Sequence, residues 1–232
     1  MALDLGTDST IRVLMRIDGF GAALLLIVGV AIPYLAWKTK QRFHGDELPM
    51  PRAQFFFQTA IFQVVIYGFA LVAASTNGIR LQLLPIVWWK AWPALALLLL
   101  AVAVLKIRWP SRDDADKRRL YAILPHDRRE LGPYLVLCVV AGIAEEVIYR
   151  GVSYRLLIRL GLGVWIAAAI MSVVFALAHS VQGWRSTLFI GVIAAGFHFI
   201  VIYSGGLLPA IVAHTAYDAI AGVVIPRWMK AS

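Results

Sequence analysis

Residues 131–150 read LGPYLVLCVVAGIAEEVIYR, an apolar run long enough to cross a bilayer that ends in two glutamates and an arginine. A charged carboxylate at the centre of a bilayer costs roughly 2.5 to 3.5 kcal/mol on insertion scales. A chain therefore keeps such groups there only where they face one another or a water-filled cavity. Later apolar runs add His179, His214 and Asp218. These polar residues inside apolar runs are the main indication of function.

The composition of the chain indicates an integral membrane protein. Of its 232 residues, 61% are hydrophobic and 15% are charged, and the mean hydropathy is +0.77, which exceeds what a soluble core needs. The net charge of +9 comes from Lys and Arg beside the apolar runs, where cytoplasmic flanks and anionic lipids account for them. We therefore expect no nucleic-acid partner. Cys138 is the sole cysteine, which excludes an intrachain disulfide and a cysteine-based zinc site.

The apolar runs predict an all-α fold, a polytopic transmembrane helix bundle of about seven membrane helices, or eight. We expect the fourth helix to continue beyond Tyr149. The predicted helices span residues 19–37, 54–74, 86–105, 131–149, 163–179, 186–203 and 206–225.

The distribution of basic residues predicts the orientation, because positively charged short loops stay in the cytoplasm. With seven spans and the N-terminus outside, 15 basic residues lie inside and six outside, so we predict N-out, C-in.

The longest polar stretch predicts the division of the chain. Residues 1–105 would form a peripheral three-helix membrane segment, 106–130 a basic cytoplasmic loop, and 131–232 the helix bundle that carries the reactive residues.

The first of three polar patterns joins Glu145, Glu146 and Arg150. Glu146 and Arg150 are four residues apart and share a helical face, whereas Glu145 points about 100° away. This spacing predicts an ion pair between Glu146 and Arg150 and leaves Glu145 free to accept a proton from water. The alternative is that both glutamates only tie the bundle together through Arg150.

The second and third patterns add the histidines. His179 follows Phe175 by four residues, and a turn near residues 161–163 would put it level with Glu145 on an antiparallel helix. His214 and Asp218 are also four apart, at a depth that allows them to meet His179. Each pattern alone is also compatible with packing. His198 has no acidic neighbour in sequence, and we interpret it as structural.

Taken in order, Glu-Glu-x-x-x-Arg, Phe-x-x-x-His and His-x-x-x-Asp resemble the CPBP family of intramembrane proteases over residues 131–225. This is the CAAX prenyl endopeptidase and bacteriocin-processing group, also called abortive-infection proteins. The resemblance implies that Glu145 is the catalytic base, that His179 helps to activate the water, and that His214 and Asp218 hold the oxyanion or a metal. The catalytic set is completed by Glu146 and by Arg150, which would fix Glu146.

The resemblance leaves the use of a metal open. Family members are commonly described as metalloproteases, although a metal-free glutamate mechanism has been argued for the eukaryotic branch. A divalent metal such as zinc would be bound by Glu145, His179, His214 and Asp218. The third motif of the family often ends in asparagine. Asp218 favours a metal ligand, or a group that orients His214, since an ionised carboxylate donates no hydrogen bond to an oxyanion.

We therefore predict an intramembrane endopeptidase that hydrolyses a peptide bond of a membrane-associated protein or peptide, with a site open to the cytoplasm. The alternatives are a proton-coupled transporter and a catalytically silent membrane scaffold. The lack of an internal repeat argues against a transporter. The short length and the final Trp-Met-Lys-Ala-Ser, which is no eukaryotic retention signal, favour a bacterial plasma membrane.

Overall fold

The computed structural model describes residues 17–42, 48, 50–84 and 87–231, and the regular secondary structure of this part of the chain is entirely helical. Short 3₁₀ turns at Trp88–Ala91 and Ser180–Gln182 lie just before the third and seventh helices. The described part of the chain forms eight helices, α1 (Gly19–Arg42), α2 (Arg52–Thr76), α3 (Trp92–Arg108), α4 (Asp114–Ala122), α5 (Arg128–Arg159), α6 (Val164–Ala178), α7 (Trp184–Ser204) and α8 (Leu208–Ala231).

Six of the described helices are long and apolar enough to cross a membrane, namely α1, α2, α3 with its preceding turn, α5, α7 and α8. The shorter α6 is apolar as well. The predicted polytopic helix bundle is therefore confirmed, and each predicted run corresponds to one of these seven helices. The predicted ends of the fifth run at residues 163 and 179 lie one residue outside α6, and the predicted start of the seventh run at residue 206 lies two residues before α8. The predicted start of the third run at residue 86 lies outside the described residues, as do residues 43–47 of the basic flank that precedes α2.

The length of α5 confirms the predicted continuation past Tyr149, because the helix runs 32 residues without a break. Its N-cap Asp127 accepts hydrogen bonds from the backbone N–H groups of Glu130 and Arg129, and these bonds lower the pKa of the Asp127 carboxyl. From Glu146 to Ser153 the helix widens into a π-helical segment. Such segments inside α-helices are frequent at functional sites.

A tight turn reverses the chain between α5 and α6. Gly161 has a φ of 100°, a backbone conformation that only glycine adopts without strain. The two helices are therefore antiparallel neighbours, as the spacing around residues 161–163 predicts. At the end of α7, Gly205 has a φ of 75° and caps that helix in the left-handed conformation.

Helix α5 lies at the centre of the bundle, between α2 on one side and α8 on another. A side chain at Gly142 would overlap Thr215 of α8, so the glycine allows the two backbones to approach closely. The segment after α3 contains α4 and is not a simple loop. The division at residues 105 and 130 stays a prediction, although α2 of the front part packs directly along α5.

Candidate active site

A cavity of about 710 Å³ lies inside the bundle. Its walls are mostly apolar and come from all eight described helices, as the lining residues Ile32, Phe62, Ile148, Phe175 and Phe197 illustrate. Polar groups concentrate where α5, α6 and α8 meet. Lining the cavity there are Glu145, His179, His214 and Asp218.

The predicted pair of Glu146 and Arg150 is confirmed. Arg150 Nη1 lies 3.2 Å from Glu146 Oε1, and both side chains are fully buried. Arg150 Nη2 also donates to the carbonyl oxygen of Ala194 on α7 over 3.2 Å. The guanidinium carbon lies 4.5 Å from the ring centroid of Phe175 and 5.6 Å from that of Phe197. The buried carboxylate of Glu146 and the buried guanidinium of Arg150 thus neutralise each other, and the surrounding groups fix the position of the arginine.

Glu145 has a different environment from its neighbour, as the 100° rotation predicts. Its Oε1 accepts a hydrogen bond from Gln63 Nε2 over 2.5 Å. Its Oε2 is buried and has no hydrogen-bond partner among the described residues. That oxygen lies 3.9 Å from His179 Nε2 and 3.7 Å from His214 Nε2. These separations are too long for direct hydrogen bonds and suit a bridging water.

His179 lies just past the end of α6, where Glu145 faces it across the hairpin. Its Nδ1 is 2.8 Å from the carbonyl oxygen of Phe175. A carbonyl only accepts, so the Nδ1–H donates this bond and, in the neutral ring, Nε2 carries the lone pair. The ring also packs against that of Phe175, with centroids 4.5 Å apart. His179 therefore presents an acceptor nitrogen toward the free oxygen of Glu145.

His214 on α8 links the two glutamates. Its Nδ1 donates to Glu146 Oε1 over 2.8 Å, and its Nε2 lies 3.5 Å from Asp218 Oδ2 on the side that faces Glu145. Phe197 stacks on the ring at 5.5 Å. Side chains from α5, α7 and α8 thus fix the tautomer and the position of His214. The helix depths predict that the third pattern, His214 and Asp218, can lie near Glu145 and His179, and these distances confirm it.

Two residues of the site were not selected from the sequence. Gln63 belongs to α2, in the part of the chain where no chemistry was expected, and Phe197 covers the ring of His214. A glutamine within an apolar helix is a detectable signal, because an amide inside a membrane needs a partner. His198, interpreted as structural, has its Nδ1 3.1 Å from the carbonyl oxygen of Ala194 and does not line the cavity.

The side chains of this site include groups that can bind a metal. Within the described residues, no group of three or more His, Cys, Asp or Glu side chains has the arrangement of a metal site. The chemistry of the donors nevertheless suits a divalent ion. Each histidine has its Nδ1 engaged with an oxygen and its Nε2 turned toward Glu145, as metal-binding histidines usually do.

Comparison with known protein families adds a finding that does not depend on this geometry. Residues 128–220 match the family model described as Rce1-like, Type II CAAX prenyl endopeptidase Rce1-like. The match supports the resemblance of this segment to the CPBP group of intramembrane proteases. No curated protein and no solved structure matches the chain.

The Rce1-like segment contains the six residues that the motifs predict for the site, whereas Gln63 lies outside it. The match supports a peptidase that acts on a peptide or protein in a membrane environment. Together with the apolar helices it supports an integral membrane protein. The six residues are Glu145, Glu146, Arg150, His179, His214 and Asp218.

Proposed function

We propose that this protein is an intramembrane endopeptidase that hydrolyses a peptide bond with a water activated by Glu145 and His179. One observation carries the proposal. Glu145 Oε2 is buried, has no hydrogen-bond partner among the described residues, and faces two imidazole nitrogens at 3.7 and 3.9 Å inside a large cavity. A water between these three atoms would be within hydrogen-bond reach of a base and of a second acceptor.

The chemistry follows from the positions of the side chains. Glu145 takes a proton from the water, and the resulting hydroxide forms a bond to the carbonyl carbon of the scissile peptide. His214, when doubly protonated, donates its Nε2–H to the oxyanion of the tetrahedral intermediate. The intermediate then collapses with cleavage of the C–N bond, and Glu145 passes the proton to the leaving amine. Asp218 and Glu146 hold the imidazole of His214 in place.

A divalent metal such as zinc is the alternative way to activate the water. Glu145, His179, His214 and Asp218 would hold it, and it would supply Lewis-acid polarisation and a more acidic bound water. The carboxylate of Asp218 is a better metal ligand than the asparagine frequent at this position in the family. Turnover that is lost with a zinc chelator and restored by added zinc would assign this chemistry.

The shape of the cavity supports a membrane-associated protein or peptide as the substrate. Its lining includes Glu145 together with the apolar side chains of Phe62, Leu35 and Leu120. Leu120 and Arg112, which also line the cavity, belong to the segment predicted to face the cytoplasm. An extended apolar peptide could therefore lie along the cavity with its end near that segment. We propose a bacterial plasma membrane as the location.

The test compares the termini of membrane proteins, by mass spectrometry, in cells that express the native chain or its Glu145→Gln variant at matched levels. The glutamine keeps the shape and the bond to Gln63 but cannot take a proton. We expect termini that appear only with the native chain, and a loss of turnover of about 100-fold or more in the variant.

Asp114→Asn is the matched control, because it also turns a carboxylate into an amide but sits on an exposed turn of α4. It should cleave like the native chain. Full activity of Glu145→Gln would contradict the assignment of the base. Identical termini in all three cell lines, together with proton uptake by reconstituted vesicles, would favour the proton-coupled transporter.

A further inference from the structure

A second, smaller cavity lies on the outside of the bundle, between the end of α3 and the start of α7. Its volume is about 290 Å³, and its floor is formed by apolar side chains such as Val104, Leu188 and Val192. We call it the arginine groove, because Arg108, Arg112 and Arg185 line the end where both helices leave the apolar region.

The positive charge at this end exceeds the negative charge around it. Arg185 donates to the carbonyl oxygen of Ser111 over 3.1 Å and lies 3.9 Å from Asp113 Oδ2. Arg112 Nη1 donates to Ser186 Oγ over 2.8 Å, while its Nε is buried without a partner among the described residues.

Arg108 is exposed, and its side chain has no hydrogen bond or ion pair in the part of the chain that the structure describes. Asp113 forms the one ion pair with the three arginines of the groove in that part of the chain. The buried carboxylate of Asp116, which pairs with Arg119, adds a second negative charge near Arg112. Guanidinium groups bind phosphate through charge-assisted, often bidentate hydrogen bonds. The charge of the groove is therefore complementary to a phosphate group.

The apolar part of the groove faces outward, where lipid surrounds a membrane protein. Leu188 and Val192 are 62% and 70% exposed, a large exposure for aliphatic side chains on a span. Trp184 lies at the arginine end and is also exposed, as is typical of tryptophan at the membrane–water interface. The groove thus has an apolar length beside the acyl chains and a cationic end at the depth of the headgroups.

We infer that the arginine groove binds a phospholipid with an anionic headgroup. Arg108 and Arg185 hold its phosphate, Arg112 supports it from the inner side, and the upper part of an acyl chain lies along Leu188 and Val192. Basic pockets between membrane helices commonly bind anionic lipids. None of the three arginines takes part in the proposed catalytic chemistry, although Arg112 also lines the large cavity, so the lipid site stands whether or not the chain cleaves peptides.

The test is native mass spectrometry of the full chain in detergent, titrated with phosphatidylglycerol and, in parallel, with phosphatidylcholine. We expect phosphatidylglycerol to bind more tightly to the native chain. The Arg108→Gln/Arg185→Gln double variant should weaken that binding by about tenfold or more and remove the preference. Unchanged binding of phosphatidylglycerol in this variant would overturn the proposal.

The matched control is Lys38→Gln/Arg42→Gln, which removes the same charge from exposed residues at the end of α1. This control should bind phosphatidylglycerol like the native chain. If it lost as much affinity as the groove variant, the net charge of the protein would explain the binding, and the proposed site would be overturned. Val192→Trp fills the apolar groove without altering charge and should also weaken lipid binding. Displacement of the lipid by millimolar inorganic phosphate would show a site for the free anion and contradict the lipid.

Discussion

Glu146 Oε1 is the atom on which the geometry of the site depends. It accepts a bond from Arg150 and another from His214, so a single oxygen joins α5 to α8 and, through the arginine, to α7. The spacing of the motifs predicts the Glu146–Arg150 pair because both residues belong to one helix. The bond to His214 could not be predicted, because it depends on how two helices that are distant in sequence rotate about their axes.

Arg150→Met is expected to destabilise the protein strongly. Removal of the guanidinium leaves Glu146 buried without its counter-ion, and breaking a buried pair in this way costs roughly 3–5 kcal/mol. Thermal unfolding in detergent measures the loss. The double variant Glu146→Gln/Arg150→Met removes both charges and should recover part of the stability but not the turnover. A single variant as stable as the native chain would show that the pair is not structural.

Gln63 is expected to position the base. Gln63→Ala removes a hydrogen bond to a charged oxygen, and such bonds contribute about 1.5–3 kcal/mol, so turnover should fall by about tenfold or more. Gln58→Ala is the matched control, since Gln58 lies on the same helix and lines the same cavity without a bond to Glu145. The pH profile of turnover should shift in Gln63→Ala alone. Equal profiles for both variants would contradict the positioning role.

At the scale of the helices, the apolar runs predict the spans well. The reason is that a bilayer imposes a length of about 20 residues and satisfies no backbone group, so that only continuous helices fit. The π-helical segment at Glu146–Ser153 could not be predicted. Its wider turns depend on which neighbours pack against α5, and no local propensity of Val147 or Gly151 signals them.

The close approach of α5 and α8 is a second property of elements that can be tested. Gly142→Ala introduces a Cβ that overlaps Thr215, which should separate the helices, move His214 away from Glu145 and cost about 1–3 kcal/mol. Turnover should fall with stability. In Gly132→Ala, on the same helix, the added Cβ has nothing within 4 Å, and the variant should behave like the native chain. A fully active Gly142→Ala would show that this approach is not needed.

At the scale of the molecule, the predicted orientation can be measured by labelling. Cys138 is buried, so a cysteine placed elsewhere is the main reactive thiol. N-out, C-in places Arg80 outside and Ser111 inside. A membrane-impermeant maleimide should label Arg80→Cys in intact cells and Ser111→Cys only after permeabilisation. The reverse pattern would contradict the orientation.

The front helices illustrate what a sequence reveals least. Their apolar character predicts that they lie in the membrane, but α2 contributes Gln63 to the site through packing that no motif encodes. The residues of the Rce1-like segment could be selected because three short patterns lie within helices of known spacing. A partner from another helix could be found only once the helices were assembled in space.

His214 comes from α8, the last described helix, and it completes the set that α5 and α6 begin. During translation, a nascent chain that has inserted α1 to α7 therefore carries Glu145 and His179 but neither His214 nor Asp218. Its membrane-embedded glutamate lacks these two partners until α8 leaves the ribosome and enters the bundle. The order of biosynthesis thus delays the assembly of this polar cluster until α8 has been made.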